Sequence, residues 1–291
     1  MRELNLDSDA YPFQSRYFDT PAGQLHYIDE GQGEPVVMVH GNPTWSFAFR
    51  HCIAALRSQY RCIAMDHIGF GLSDKPLEWD YQPQSHAAHF AALMDSLDLQ
   101  SITLVVSDWG GPIALQYAID HPDRIKRVVV LNSWCWSVKG DPHFERFSAM
   151  MGGPIGRFLI KHCNFFVNGV MKKAVHQKHC LTQNVMRHYR LTTANKRARK
   201  SMWVLPKAIV SCSEWLSTLE RGIQQQLANK PCLIAWGKHD IAFRAQECER
   251  WQRLFTQHTL VSFDHAGHFP EEEVPDELVS HLQGFLQQDN A

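Results

Sequence analysis

Six short apolar runs each stop abruptly at glycine or polar residues: PVVMVHG (Pro35–Gly41), CIAMDHIG (Cys62–Gly69), SITLVVSD (Ser101–Asp108), RVVVLNS (Arg127–Ser133), KPCLIAWGKHD (Lys230–Asp240) and HTLVSFDHAGHF (His258–Phe269). Runs of this kind are strands buried on both faces, because a strand with one wet face would alternate apolar and polar residues. From Tyr17 to about Asn132 they alternate with amphipathic helical stretches, and strand-helix alternation builds a mostly parallel, doubly wound sheet of the α/β class. One such helix is GGPIALQYAIDHP, with Pro112 in its first turn and His121-Pro122 closing it.

After Trp136 the strand-like runs cease until about Glu220. The organisation this predicts is a core made of residues 1–135 and 221–291, with a helical cap, 136–220, inserted into it. A chain of 291 residues with 44% hydrophobic and 20% charged residues is long enough to bury such a core. The aromatic and Met-rich pieces FERFSAMM and FLIKHCNFF read equally as cap core or as pocket lining. The basic run NKRARK (Asn195–Lys200) reads as a solvated helix face.

A net charge of -1 carries neither a basic footprint for nucleic acid nor an acidic tail, and no run reaches the roughly 18 apolar residues of a membrane span. Neither nucleic acid nor membrane is therefore expected as a partner. The eight cysteines lack a CxxC pair and several sit in apolar runs, so buried free thiols are expected. The start MRELNLDSDAYPF has no secretory pattern, which makes the cytoplasm the expected location. No His/Cys cluster has metal spacing and no GxGxxG or phosphate-binding loop occurs, so no metal or other cofactor is expected.

The stretch LVVSDWGGP (Leu104–Pro112) runs a buried strand into a helix through a sharp corner that exposes one side chain. Such a corner needs small residues two positions either side of its tip. With Ser107 at the tip, Trp109 falls where bulk does not fit; with Asp108 there, Gly110 and Gly111 take the crowded positions and only Val106 fits imperfectly. Asp108 is thus the expected nucleophile. In this architecture the loop after the first buried strand, here HGNP (His40–Pro43), supplies one backbone donor of an oxyanion hole, and the amide after the nucleophile, here that of Trp109, supplies the other. Asp240 ends a later strand and His268 follows the last one, giving the order nucleophile, acid, histidine. His40 and His67 are expected to pack or bond beneath the site, and Asp66 and Asp74 to fix turns. His265 is a weaker candidate than His268 for the base, since AGHF places small residues before the ring of His268.

With these residues in view, the sequence resembles the haloalkane dehalogenase group of the α/β-hydrolases over nearly its whole length. The resemblance is carried by HGNPTWSFAFR, DHIGFGLSDKP, SDWGGP, NSWCWSVKGDP, WGKHDIAF and DHAGHF. It implies Asp108 as nucleophile, His268 as base, Asp240 as its partner, and Asn42 with Trp109 as the halide-holding pair. One branch of that group carries its acid after the preceding strand, where this chain has Asn132-Ser133; the resemblance is to the branch with a late Asp and an Asn/Trp pair. It further implies a small halogenated substrate and a halide ion as partners, to a monomer or homo-oligomer. Asn42-Pro43 is a candidate cis bond.

An aspartate suits displacement at a saturated carbon. A serine would form an ether that activated water does not open, whereas an aspartate forms an ester that water can hydrolyse. Two other reactions fit the motifs less well. Epoxide hydrolases share the Asp nucleophile and the HGxP loop but usually use two cap tyrosines, and this insertion has only Tyr189. The cis-β-lactone decarboxylases of long-chain olefin synthesis are similar in HGNPTWS and in the DHIG-type motif, yet SWCWSVKGDPHFERF and WGKHDIAF look more like the dehalogenases. A non-catalytic binding protein on the same fold is the remaining alternative, and it has no need of a complete nucleophile, acid and base.

Overall fold

The structure, a computed structural model, describes residues 6–288. Eight strands form one sheet: β1 (Arg16–Thr20), β2 (Gly23–Glu30), β3 (Pro35–Val39), β4 (Arg61–Met65), β5 (Ile102–Asp108), β6 (Ile125–Ser133), β7 (Cys232–Gly237) and β8 (His258–Phe263). Their order across the sheet is β1-β2-β4-β3-β5-β6-β7-β8. The six expected strands are present, and every pairing among them is parallel. The two leading strands add antiparallel ribbon at one edge.

Every residue of β3 and β7 is buried, and of β5 all but the last, so both faces of the central sheet are covered. Helices α1 (Arg50–Leu56), α2 (Pro83–Leu97) and α3 (Gly110–Asp120) do part of the covering, and Phe90 of α2 meets Tyr117 of α3 edge to face at 5.9 Å. Between β6 and β7 the chain is helical and includes α4 (Pro142–Gly152) and α5 (Pro154–Cys163). A later helix of this stretch, Ser213–Gly222, lies against α3, where Trp215 Nε1 donates to Gln116 Oε1 at 2.9 Å. No helix among the described residues is long and apolar enough to cross a membrane. Six of the eight cysteines are buried; Cys163 is exposed and Cys180 half-buried.

After β8 a short helix, Pro270–Glu273, buries three consecutive glutamates, each with its own surroundings. Glu272 takes the Arg50 guanidinium in a two-pronged pair at 2.6 and 2.8 Å and also accepts from the Tyr189 hydroxyl. Glu273 accepts from the backbone amides of Gly267 and Phe269 with one oxygen and from His176 and Gln177 with the other, tying the last loop of the core to the helical insertion. Glu271 meets only the Ser107 hydroxyl, at 3.2 Å, and its second oxygen has no partner among the described residues.

Burial pushes the Glu271 carboxyl up from 4.5 to about 8, so the folded protein keeps it protonated at neutral pH. The unfolded chain gives up this proton from pH 4.5 upward while the folded chain holds it to about 8, so stability falls as pH rises through that interval. Glu271→Gln keeps the shape and removes the titration. It should stabilise the fold by about 3 kcal/mol at pH 7 and by little at about pH 4. Urea unfolding at the two pH values checks this; an equal gain at both would refute the assignment.

Candidate active site

The corner after β5 is built as its sequence requires. Asp108 sits at φ +48°, a left-handed conformation that costs a non-glycine residue about 1–3 kcal/mol and persists only where the surroundings impose it. What imposes it is crowding: a Cβ on Gly110 would strike the carbonyl of Val39, and one on Gly111 the Ser133 hydroxyl. The Ser133 hydroxyl also donates to the backbone carbonyl of Asp108 at 2.7 Å, bracing the corner from the neighbouring strand. Ser107 points the other way, toward Glu271 beneath the sheet end.

The structure brings all five expected site residues to one place. The backbone amide of Asn42 donates to Asp108 Oδ1 at 2.8 Å, while His268 Nε2 stands 3.7 Å from Asp108 Oδ2. On its far side His268 Nδ1 bonds Asp240 Oδ2 at 2.8 Å. Asp108, Asn42, Trp109 and His268 all line one cavity, and Asp240 lies buried behind the histidine. The Asn42-Pro43 bond is cis. The Trp109 ring meets Trp134 edge-on at 4.6 Å, and Trp134 in turn stacks on Phe243 at 5.1 Å, so the indole is held in a fixed orientation.

Two positioning residues carry no role in the sequence reading. Asn132, at φ +33° near the end of β6, donates from Nδ2 to Asp240 Oδ2 at 2.8 Å, and its Oδ1 accepts from Gly237 N at 2.8 Å. With Ala242 N donating to the other Asp240 oxygen at 2.6 Å, the acid is fixed by two groups besides the His268 ring. Glu273 is the second: it holds the amides on both sides of His268, and His268 N itself donates to Ala174 O at 3.1 Å. The residues set aside from catalysis lie apart from the cavity lining. His40 and His67 bond each other's backbone, Asp66 binds His26 and the amides of Ser46 and Leu72, and His265 pairs with Glu277 at the surface.

The cavity is an apolar chamber of about 740 Å³ including its open mouth. Phe144, Phe147 and Phe166 of the insertion and Phe243 and Phe269 of the core supply its aromatic wall, against few polar groups. Tyr189 is absent from the lining; it is buried against Glu272.

Burial alone would lower the pKa of His268. The charge of Asp240, hydrogen bonds with Asp108 and Asp240 and the charge of Asp108 outweigh it and raise the pKa well above the ordinary histidine value. The two acids thus favour the protonated ring, and neutralising Asp108 removes one of the groups that hold its proton. Asp108→Asn should lower the His268 pKa, which ring-proton NMR titration measures; an unchanged value would mean that Asp108 does not set it.

Comparison with known proteins gives the family. The model of the alpha/beta hydrolase fold family matches residues 34–273. Haloalkane dehalogenase 2 of Mycobacterium tuberculosis is 38% identical over 96% of both chains. A cis-3-alkyl-4-alkyloxetan-2-one decarboxylase of Shewanella oneidensis is 32% identical over 94% of this chain and 89% of its own. The crystal structure of a haloalkane dehalogenase from Agrobacterium tumefaciens superposes with a TM-score of 0.84 at 25% identity, covering 97% of this chain and 99% of that one. The chain belongs to the α/β-hydrolase fold family, in the haloalkane dehalogenase group.

Proposed function

We propose that the protein hydrolyses the carbon-halogen bond of small haloalkanes, giving an alcohol, a halide ion and a proton. The observation that carries this reading is a carboxylate, not a hydroxyl, at the strained corner, with Asn42 and Trp109 beside it on the wall of an apolar chamber. Asp108 Oδ2 attacks the carbon, and the electrons of the breaking bond leave with the halide. The Trp109 indole N–H and the Asn42 side-chain amide receive that anion, each bond being worth about 1.5–3 kcal/mol.

The ester has no charge, so one of the groups holding the His268 proton is gone; the ring gives that proton to solvent and its neutral Nε2 can act as a base. Its Nε2 takes a proton from water as the oxygen attacks the carboxyl carbon of Asp108. The oxyanion forms at Oδ1, where the Asn42 amide already donates, with the Trp109 amide as second donor. Collapse releases the alcohol and restores the carboxylate, and the ring keeps the proton taken from water, held again by Asp108 and Asp240, so that one proton leaves in each cycle. Asp240 holds the imidazole tautomer and balances its charge throughout.

The dehalogenase reading is separated from β-lactone decarboxylation by measuring halide release from a panel of brominated alkanes beside carbon dioxide release from a cis-β-lactone. Activity on the lactone alone would overturn it. Turnover in 18O water should also leave label in the Asp108 side chain, because one carboxylate oxygen is exchanged in each cycle. Trp109→Phe should weaken halide binding roughly ten- to hundredfold through loss of one charge-assisted bond. Fluorescence quenching by chloride measures this, with unchanged quenching counting against the role.

A further inference from the structure

The net charge of -1 conceals a division. Between Arg146 and Ser213 the sequence has thirteen Lys and Arg and no Asp or Glu, so all 30 acidic residues lie elsewhere, against 16 basic ones. The same segment carries the three most exposed large apolar side chains among the described residues: Ile155 at 77%, Met150 at 61% and Phe158 at 59%. A near-zero total charge argues for no particular partner, but a chain split into a basic and an acidic part does.

The cations and the apolar groups share one face. Helix α5 buries Gly156 and Ile160 and leaves Ile155, Arg157, Phe158 and Lys161 exposed. Phe158 stacks on His162 at 4.6 Å, and the end of α4 brings Met150 beside Gly156. Arg199 Nη1 donates to the Lys161 carbonyl at 2.8 Å, which fixes the turn Lys196–Arg199 against the end of α5 and leaves Lys196 and Arg197 exposed there. Desolvation first, and then the charges of Lys196, Lys161 and Arg199, push the His162 pKa down, and the three cations place a positive field at this surface. Among the described residues Arg157, Lys161, Lys196 and Arg197 have no ion pair with an acid. None of these residues lines the catalytic cavity.

We propose that this face docks on an anionic lipid surface, with Met150, Ile155 and Phe158 entering the headgroup layer and Arg157, Lys161, Lys196 and Arg197 meeting lipid phosphates. An amphipathic helix with aromatic and aliphatic residues beside Lys and Arg is suited to lie in that interface. A second copy of the chain is a poor occupant, because two such faces would bring like charges together without an acid to pair them. A nucleic acid would match the cations and leave Ile155 and Phe158 in water. The surface is separate from Asp108 and holds whatever reaction occurs there.

The test is co-sedimentation of the full chain with phosphatidylcholine vesicles, with and without added phosphatidylglycerol, at about 0.15 M and about 1 M salt. Binding should need phosphatidylglycerol and weaken with salt. Each cation near an anionic leaflet is worth about fivefold in partitioning, so Lys161→Glu with Lys196→Glu should cost about 25-fold or more. Phe158→Asp should reduce binding at both salt concentrations, and none of these variants should alter turnover of a water-soluble substrate. Failure to bind phosphatidylglycerol vesicles, or equal binding to pure phosphatidylcholine, overturns the proposal. So does a wild-type dimer that Phe158→Asp dissociates without any vesicle binding, or binding that duplex DNA displaces and Phe158→Asp leaves unchanged.

Discussion

Asp108→Ala is expected to abolish halide release, by about 10⁵-fold or more, while the protein remains folded. The loss follows from the proposed chemistry: without the carboxylate no alkyl ester forms, and His268 is not placed to displace a halide through water. The fold survives because Asp108 stands at a strained corner, in a left-handed conformation that is costly for any side chain, and its carboxylate holds up none of the hydrophobic core. The alanine keeps that backbone strain, and the amide of Asn42 loses its acceptor at 2.8 Å, so a stability change of about 1 kcal/mol in either direction is expected. Circular dichroism and urea unfolding check the fold, and halide assay checks the loss. Residual turnover well above background in a well-folded variant would place the nucleophile elsewhere.

The corner was legible because its constraint is local. Two glycines are demanded by backbone and side-chain atoms that any strand-turn-helix of this tightness brings near, so the register could be read from spacing alone. The parallel strands β3 to β7 were legible for a similar reason, since burial on both faces removes polar residues from the run; β8, expected to be buried like them, lies at the other sheet edge and buries only Phe263. Strands β1 and β2 were not: they form the sheet edge, β1 is largely exposed, and RYFDT carries too few apolar residues to stand out from a loop. The buried glutamates of PEEE were hidden differently. Three acids in a row look like a solvated face, and what buries them comes from far along the chain, as with Arg50 and Glu272, 222 residues apart.

The insertion shows where periodicity stops being informative. FERFSAMM and FLIKHCNFF were open between cap core and pocket lining, and the structure divides them three ways. Phe144, Phe147 and Phe166 face the cavity, Met151 and Ile160 are buried, and Met150, Phe158 and Phe165 are exposed. Helical spacing reveals a face but not what lies against it. Likewise NKRARK is only partly a solvated face: Lys196 and Arg197 are exposed, whereas Arg199 is buried and donates to three backbone carbonyls.

His268→Ala should separate the two halves of the reaction. Displacement needs the Asp108 carboxylate and a home for the halide, and neither depends on an imidazole; hydrolysis needs a base within reach of water beside the ester. The variant should therefore release about one halide per active site in a burst and then stop, with the alkyl group retained on Asp108 and visible by mass spectrometry of the intact protein and of its Asp108 peptide. Loss of the ring also leaves Asp240 without its partner at 2.8 Å, but Asn132 Nδ2 and Ala242 N still donate to that carboxylate, so the acid stays satisfied and the loop should hold. Removing Glu273's grip on the loop instead, with Glu273→Gln, should slow the second step more than the first, because it loosens the histidine and leaves Asp108 and the Asn42 amide in place. A non-catalytic binding protein would give no burst in either variant, and an enzyme that activates water directly on the substrate would give no adduct. Steady turnover by His268→Ala without adduct would remove the ester from the mechanism, and with it the reason for an aspartate at the corner.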